Sequence, residues 1–115
     1  MQAIVELARR LGQAINESPQ AADLRAARKT VNDDPELSKL LKDYQEQVVK
    51  IARLEEEEKP VEVEDKHQLE GLQKKLLASE KFKKFSAAQV EYVDLMRKVN
   101  EALRQRLAET ESEGD

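Results

Sequence analysis

The stretch Asn32-Asp33-Asp34-Pro35-Glu36-Leu37 contains the end of one predicted helix and the beginning of the next. Asp34 suits the N-cap position, because its carboxylate can accept hydrogen bonds from the first free backbone N–H groups of a helix. Pro35 suits the first helical position, where no backbone N–H is needed. Ser18, followed by Pro19, and Ser79 repeat this pattern elsewhere in the chain. These few stop signals predict a succession of helices joined by short connections.

Between the stop signals, apolar residues recur every three or four positions, which is the spacing of one helix face. The segment from Glu55 to Asp65 interrupts this pattern with seven acidic residues, one lysine and Pro60, and it predicts a solvated turn. The predicted fold is all-α: an elongated bundle of about five helices with two long antiparallel helices, forming one domain over residues 1–109. The remainder, 110–115, has no apolar residue and predicts a frayed acidic tail.

Four of the predicted helices carry a distinct apolar stripe. The first, about residues 3–17, has Ile4, Leu7, Ala8, Leu11 and Ile15; the third, residues 35–58, has Leu37, Leu40, Leu41, Tyr44, Val48, Ile51 and Leu54. The fourth has Leu69, Leu72, Leu76 and Leu77; the fifth, residues 80–109, has Phe82, Phe85, Tyr92, Met96, Val99, Leu103 and Leu107. The second is short, from Pro19 to Val31, with Leu24, Ala27 and Val31 on its apolar side.

The composition excludes several classes of functional site. Charged residues make up 38% of the chain, the net charge is −4, and cysteine is absent. Without cysteine there are no disulfides, thiolate nucleophiles or Cys-ligated metal centres. Arg9 and Arg10 interrupt the first apolar stretch, so neither a signal peptide nor membrane insertion is expected, and a cytoplasmic location is the default. The negative charge opposes nonspecific binding to nucleic acid.

The predicted fifth helix is too long for a compact monomer of this size. At 1.5 Å per residue it extends about 45 Å, whereas a compact domain of this length has a diameter of roughly 34 Å. Since its far end still carries apolar residues, we expect a partner to cover it, most simply in a twofold homodimer with coiled-coil-like packing. The candidate dimer or partner face consists of Tyr92, Met96, Val99, Leu103 and Leu107.

A lysine tract crosses the turn before the fifth helix and gives a rival hypothesis of phosphate or RNA contact. Phe82 and Phe85 lie between the lysines at helical spacing, which favours burial in the core over stacking on bases. Direct nucleic-acid binding is therefore not expected. The candidate phosphate contacts are Lys74, Lys75, Lys81, Lys83 and Lys84.

No motif predicts a catalytic, cofactor or metal site. Glu64-x-x-His67 has the spacing of ligands in di-iron bundles, but His67 lies about 170° from the Leu69, Leu72 and Leu76 stripe at 100° per residue and should face solvent. His67 is the only histidine, and it is not placed to activate any of the serines, of which Ser18 and Ser79 are expected caps. Gly12, at the edge of an apolar stripe, predicts a close helix crossing, whereas Gly71 has no physical explanation in the sequence.

Several motifs in fixed order resemble those of the YlbF/YmcA family, from Ile4 to about Leu107. They are Ala8-x-x-Leu11-Gly12-x-x-Ile15-x-x-Ser18, Asn32-Asp33-Asp34-Pro35 leading to Leu40 and Tyr44-Gln45, Phe82-x-x-Phe85-x-x-Ala88-Gln89, and Val99-Asn100. The resemblance implies a small helical bacterial protein that is not an enzyme. Its better-known members are regulators of competence, sporulation and biofilm formation, acting in a complex that directs messenger-RNA processing by a membrane-associated endoribonuclease.

The absence of cysteine separates this chain from the members of that family that contribute cysteines to iron–sulfur clusters. The chain looks closer to the cysteine-free, YheA-like branch. The predicted function is a regulatory or adaptor protein acting through protein–protein interaction. An RNA-associated protein using the lysine tract is one alternative, and a small helical chaperone-like clamp is another, although the acidic Glu55–Asp65 segment opposes an apolar tip there.

Overall fold

The chain folds into five α-helices. The computed structural model describes the backbone of residues 1–114 and the side chains of residues 1–109, and no strand occurs among them. The all-α class and the two long helices are thus confirmed, while the antiparallel arrangement and the homodimer stay predictions. The predicted acidic tail, 110–115, has side chains outside the described residues. The helices are α1 (Gln2–Asn16), α2 (Pro19–Asn32), α3 (Pro35–Glu56), α4 (Val63–Leu77) and α5 (Glu80–Gly114).

The three predicted capping residues each begin a helix. Ser18 Oγ accepts a hydrogen bond from the Ala21 backbone N–H at 3.2 Å before α2, and Ser79 Oγ accepts one from Phe82 at 3.2 Å before α5. Asp34 Oδ1 accepts one from the Leu37 N–H at 3.1 Å, next to Pro35 at the start of α3. Each bond satisfies a backbone donor that has no partner within its helix.

The chain divides into two compact units, one formed by Met1–Ala26 with the part from Ser86 onward, the other by Ala27–Phe85. In the second unit α3 packs against α4. Its core is a cluster of the buried side chains Val31, Leu37 and Leu76. Half-buried side chains surround this cluster: Leu40, Leu41, Tyr44, Phe82 and Phe85. The prediction that both phenylalanines belong to a core is confirmed.

Two details of the predicted stripes are wrong. Leu77 is 57% exposed and Val48 is 39% exposed, although the predicted apolar stripes include both residues. Leu77 lies 100° around the helix from Leu76, which is only 1% exposed, so the two side chains cannot face the same neighbour. The close helix crossing predicted at Gly12 is also absent, since no atom lies within 4 Å of the position that a Cβ would take there.

The connection between α3 and α4 is shorter than predicted and ends α3 with a Schellman motif. The Lys59 N–H donates to the Leu54 carbonyl at 2.8 Å, and the Glu58 N–H donates to the Glu55 carbonyl at 3.1 Å. These are the two bonds that define the motif, and they require a left-handed residue between them. Glu58 adopts that conformation, with φ of 58°, at a position where glycine is usual.

Asp65 corrects the prediction of a fully solvated acidic segment. It lies in the first turn of α4 and is buried, as is Gln47 on α3. Gln47 Nε2 donates to the Asp65 backbone carbonyl at 2.9 Å, Lys50 Nζ donates to Asp65 Oδ1 at 2.9 Å, and the Glu62 N–H donates to Asp65 Oδ2 at 3.3 Å. The Lys50 hydrogen bond is the main cause that lowers the pKa of Asp65 below its usual value.

Candidate protein-interaction surface

The first exposed apolar surface lies on α1. We call Ile4, Leu7, Ala8, Leu11 and Ile15 the α1 face, because they fall on one side of the helix. Ile4 is 72% exposed and Leu7 is 62% exposed, and α1 has no buried residue at all. Polar residues occupy the other side of the helix, where Arg9 pairs with Glu6 at 3.4 Å. A helix with such clean segregation is built to bury one side.

The second exposed apolar surface is the one predicted on α5. We call Tyr92, Met96, Val99, Leu103 and Leu107 the α5 face. Burial falls along it: Tyr92, Met96 and Val99 are half-buried, whereas Leu103 is 51% exposed and Leu107 is 66% exposed. The C-terminal part of this face is therefore exposed to solvent.

Charged residues beside the α5 face are already paired with one another. Asp94 binds both Arg97 and Lys98, the latter at 3.1 Å. The hydrogen bond from Arg97, followed by that from Lys98, lowers the pKa of Asp94. The side chains of the α5 face itself are uncharged and mainly apolar, so apolar contact is the main interaction that this face offers to a partner.

The five candidate lysines of the tract are all exposed, on α4 and at the start of α5. Lys81 Nζ lies 3.2 Å from Asp34 Oδ2, and Lys83 Nζ lies 3.4 Å from Glu80 Oε1. The pKa of Asp34 is lowered, chiefly by the Leu37 N–H and then by Lys81. In the described part of the chain, Lys74, Lys75 and Lys84 form no ion pair. Two of the five lysines thus already form ion pairs with carboxylates near the starts of α3 and α5.

His67 is exposed, at the position on α4 that its helical angle predicts. Among the described residues, no group of three or more His, Cys, Asp or Glu side chains is placed to hold a metal ion. The described helices also include none with both the length and the apolar character that a bilayer crossing requires.

Sequence reasoning missed two groups of residues. Val90 and Val93 are 64% and 59% exposed on α5, outside the predicted face, and no periodic signal distinguishes them. Gln47 and Asp65 were missed as a buried polar pair. For Asp65 a signal was present, because Glu62-x-x-Asp65 has the spacing of a capping box, in which an acidic side chain folds back on the N-cap N–H.

The family model described as control of competence regulator ComK, YlbF/YmcA, matches residues 4–108. Among curated proteins, none matches the chain. The crystal structure of Bacillus subtilis RicA in complex with RicF is similar, with a TM-score of 0.75 and 16% sequence identity over 93% of this chain and 95% of that chain. At that identity the likeness shows the fold alone. The family match covers nearly the whole chain, and the protein belongs to the YlbF/YmcA family.

Proposed function

We propose that this YlbF/YmcA family member is a non-enzymatic adaptor, which holds protein partners of a bacterial regulatory assembly through its exposed apolar helix faces. Two observations together carry this proposal: the family match spans residues 4–108, and within that range the α1 face and the C-terminal end of the α5 face, Leu103 and Leu107, are exposed. An exposed apolar stripe on a regulator is most simply a binding surface.

The similar structure supports this proposal. RicA was crystallised in complex with another protein, RicF, and a shared fold makes the same mode of action reasonable here. We propose that the present chain also forms a homodimer through the α5 face and acts in the cytoplasm. We also propose that this chain belongs to the YheA-like branch of the family. Its proposed roles, carried over from the family, lie in competence, sporulation, biofilm formation and messenger-RNA processing.

The proposal is tested by recovering the tagged protein from a lysate of its own host, with and without ribonuclease. We expect specific proteins to remain bound to the tagged protein after the RNA is destroyed. The double variant Leu103→Asp and Leu107→Asp should lose them, because a charge on the apolar face opposes desolvation. Glu101→Gln, on the polar side of α5, is the matched control and should retain them. Unchanged capture by the double variant would contradict the role of the α5 face.

One observation favours a second candidate function, RNA contact by the lysine tract. Lys74, Lys75 and Lys84 are exposed and have no ion-pair partner among the described residues, so their charges are open to phosphate. Their joint reversal to glutamate should abolish RNA binding, and the wild-type affinity should fall steeply with salt. Joint reversal of Lys42, Lys59 and Lys66, which are exposed and lie outside the tract, changes the net charge by the same amount and is the control. Equal RNA affinity in the tract and control variants would exclude this function.

A further inference from the structure

We infer that the α1 face packs on the α5 face of a second copy of this chain, and that the α5 face of the first copy receives α1 of the second. This inference rests on the proposed self-association and adds the element that completes it. The prediction of a homodimer invoked only α5, which needs a complementary surface, and α1 supplies one.

The first argument is the stability of α1 itself. A helix of 15 residues is marginal in water when nothing packs on it. Yet α1 has no buried residue, and three of its apolar side chains, Ile4, Leu7 and Leu11, are exposed. Burial of its apolar face would supply the missing stabilisation. The chain leaves that face open, so the covering surface has to come from another molecule.

The second argument is complementarity between the two faces. The α1 face and the C-terminal end of the α5 face, Leu103 and Leu107, are both exposed in the same chain. At 1.5 Å per residue the α1 face extends about 17 Å from Ile4 to Ile15, and the α5 face about 22 Å from Tyr92 to Leu107. Two faces of similar length on one chain can pair twice around a twofold axis, once in each direction.

The third argument is area. With roughly 100 Å² of apolar surface for each fully exposed aliphatic side chain, the exposed fractions of the α1 and α5 faces amount to about 300–400 Å² per chain. A stable interface buries about 800 Å² per partner, of which about 65% is apolar in homodimers. The two faces together therefore offer most of the apolar area that a homodimer needs, and neither face alone comes close to it.

The experiment uses the absence of cysteine, which makes every introduced thiol unique. Chains carrying Leu7→Cys are mixed and re-equilibrated with longer, tagged chains carrying Leu103→Cys, and are then oxidised mildly. Disulfide formation between chains of different size reports contact of α1 with α5 of another copy. The control replaces Leu7→Cys by Gln13→Cys, which places the thiol on the polar side of the same helix. Light scattering of the wild type, at micromolar concentration, measures the mass in parallel.

We expect a mass of twice 13.2 kDa and at least tenfold more mixed disulfide from Leu7→Cys than from Gln13→Cys. We also expect the mass of the Leu7→Gln variant to fall from that of the wild-type dimer toward that of the monomer.

A dimeric mass with equal cross-linking from the two α1 positions would overturn the inference and leave the proposed dimer standing. A monomeric mass would overturn both. If the monomer binds anionic lipid vesicles and the Leu7→Gln variant does not, both the inference and the proposed dimer are overturned, and the α1 face is assigned to a membrane surface. The adaptor function is tested separately by the proteins recovered from the lysate.

Discussion

Lys50 Nζ lies 2.9 Å from Asp65 Oδ1 and joins α3 to the first turn of α4 across 15 residues of sequence. The Asp65 side chain is 10% exposed, whereas that of Lys50 is 56% exposed, so the carboxylate is the sheltered partner. Since Asp65 also accepts from the Glu62 N–H, one carboxylate fixes both the start of α4 and its contact with α3.

Asp65→Asn should lower the midpoint of urea unfolding, because it removes the charge that Lys50 and the Glu62 N–H stabilise. The matched control is Glu64→Gln, which changes an exposed carboxylate in the same helical turn. Equal midpoints for the two variants would show that the Lys50 contact contributes nothing to stability.

The same carboxylate should make stability depend on pH. Hydrogen bonding from Lys50 lowers the pKa of Asp65 in the folded protein below the ordinary value of 3.8. The unfolded chain therefore binds this proton more readily, and the stabilisation is present above pH 3.8 and lost as pH falls through the folded pKa. Urea unfolding between pH 6 and 2.5 should show a smaller loss on acidification for Asp65→Asn than for the wild type. Parallel curves would refute the linkage.

Leu76→Ala should destabilise the protein by about 2–5 kcal/mol, because it removes a fully buried side chain from the core and leaves a cavity. Its neighbour Leu77 is 57% exposed against 1% for Leu76, so Leu77→Ala is the control and should stay within about 0.5 kcal/mol of the wild type. Chemical denaturation of the two variants measures the difference. Similar losses in both would mean that α4 is rotated relative to the structure.

Glu58→Gly should raise the free energy of unfolding by about 1 kcal/mol, because glycine adopts the left-handed conformation without the steric cost that a Cβ imposes. Glu57 precedes it with φ of −83°, an ordinary value, so Glu57→Gly should give no gain. Thermal unfolding followed by circular dichroism compares them. A gain of the same size at both positions would point to relief of acidic repulsion and not of backbone strain.

Gly71→Ala should stabilise α4 by up to about 1 kcal/mol, the difference in helix propensity between the two residues. Nothing lies within 4 Å of the position that the new Cβ would take, and the backbone of Gly71 does not have positive φ. Gln73→Ala, also exposed on α4, is the control and should change little. A destabilised Gly71→Ala would show that this side of α4 is occupied in solution.

Local sequence decided where the helices begin. Ser18, Asp34 and Ser79 act as caps through hydrogen bonds to residues only three positions away. After Ser18 and Asp34, proline occupies the first helical position, which it favours. Such contacts depend on a few neighbouring residues, so they can be inferred without knowing the rest of the fold. The apolar stripe of α5 can be read from the sequence for the same reason, since periodicity along one helix is a local property.

Only the tertiary structure decided which polar groups are buried and which apolar face stays open. Asp65 looked like part of a solvated acidic segment, and its burial depends on Gln47 and Lys50, which lie 18 and 15 residues away. Likewise, the sequence by itself determined that α1 is amphipathic, but whether anything in the chain covers its apolar side depends on how the helices pack. Apolar periodicity predicts that one side of α1 is buried. Only the packed chain shows that this side stays exposed.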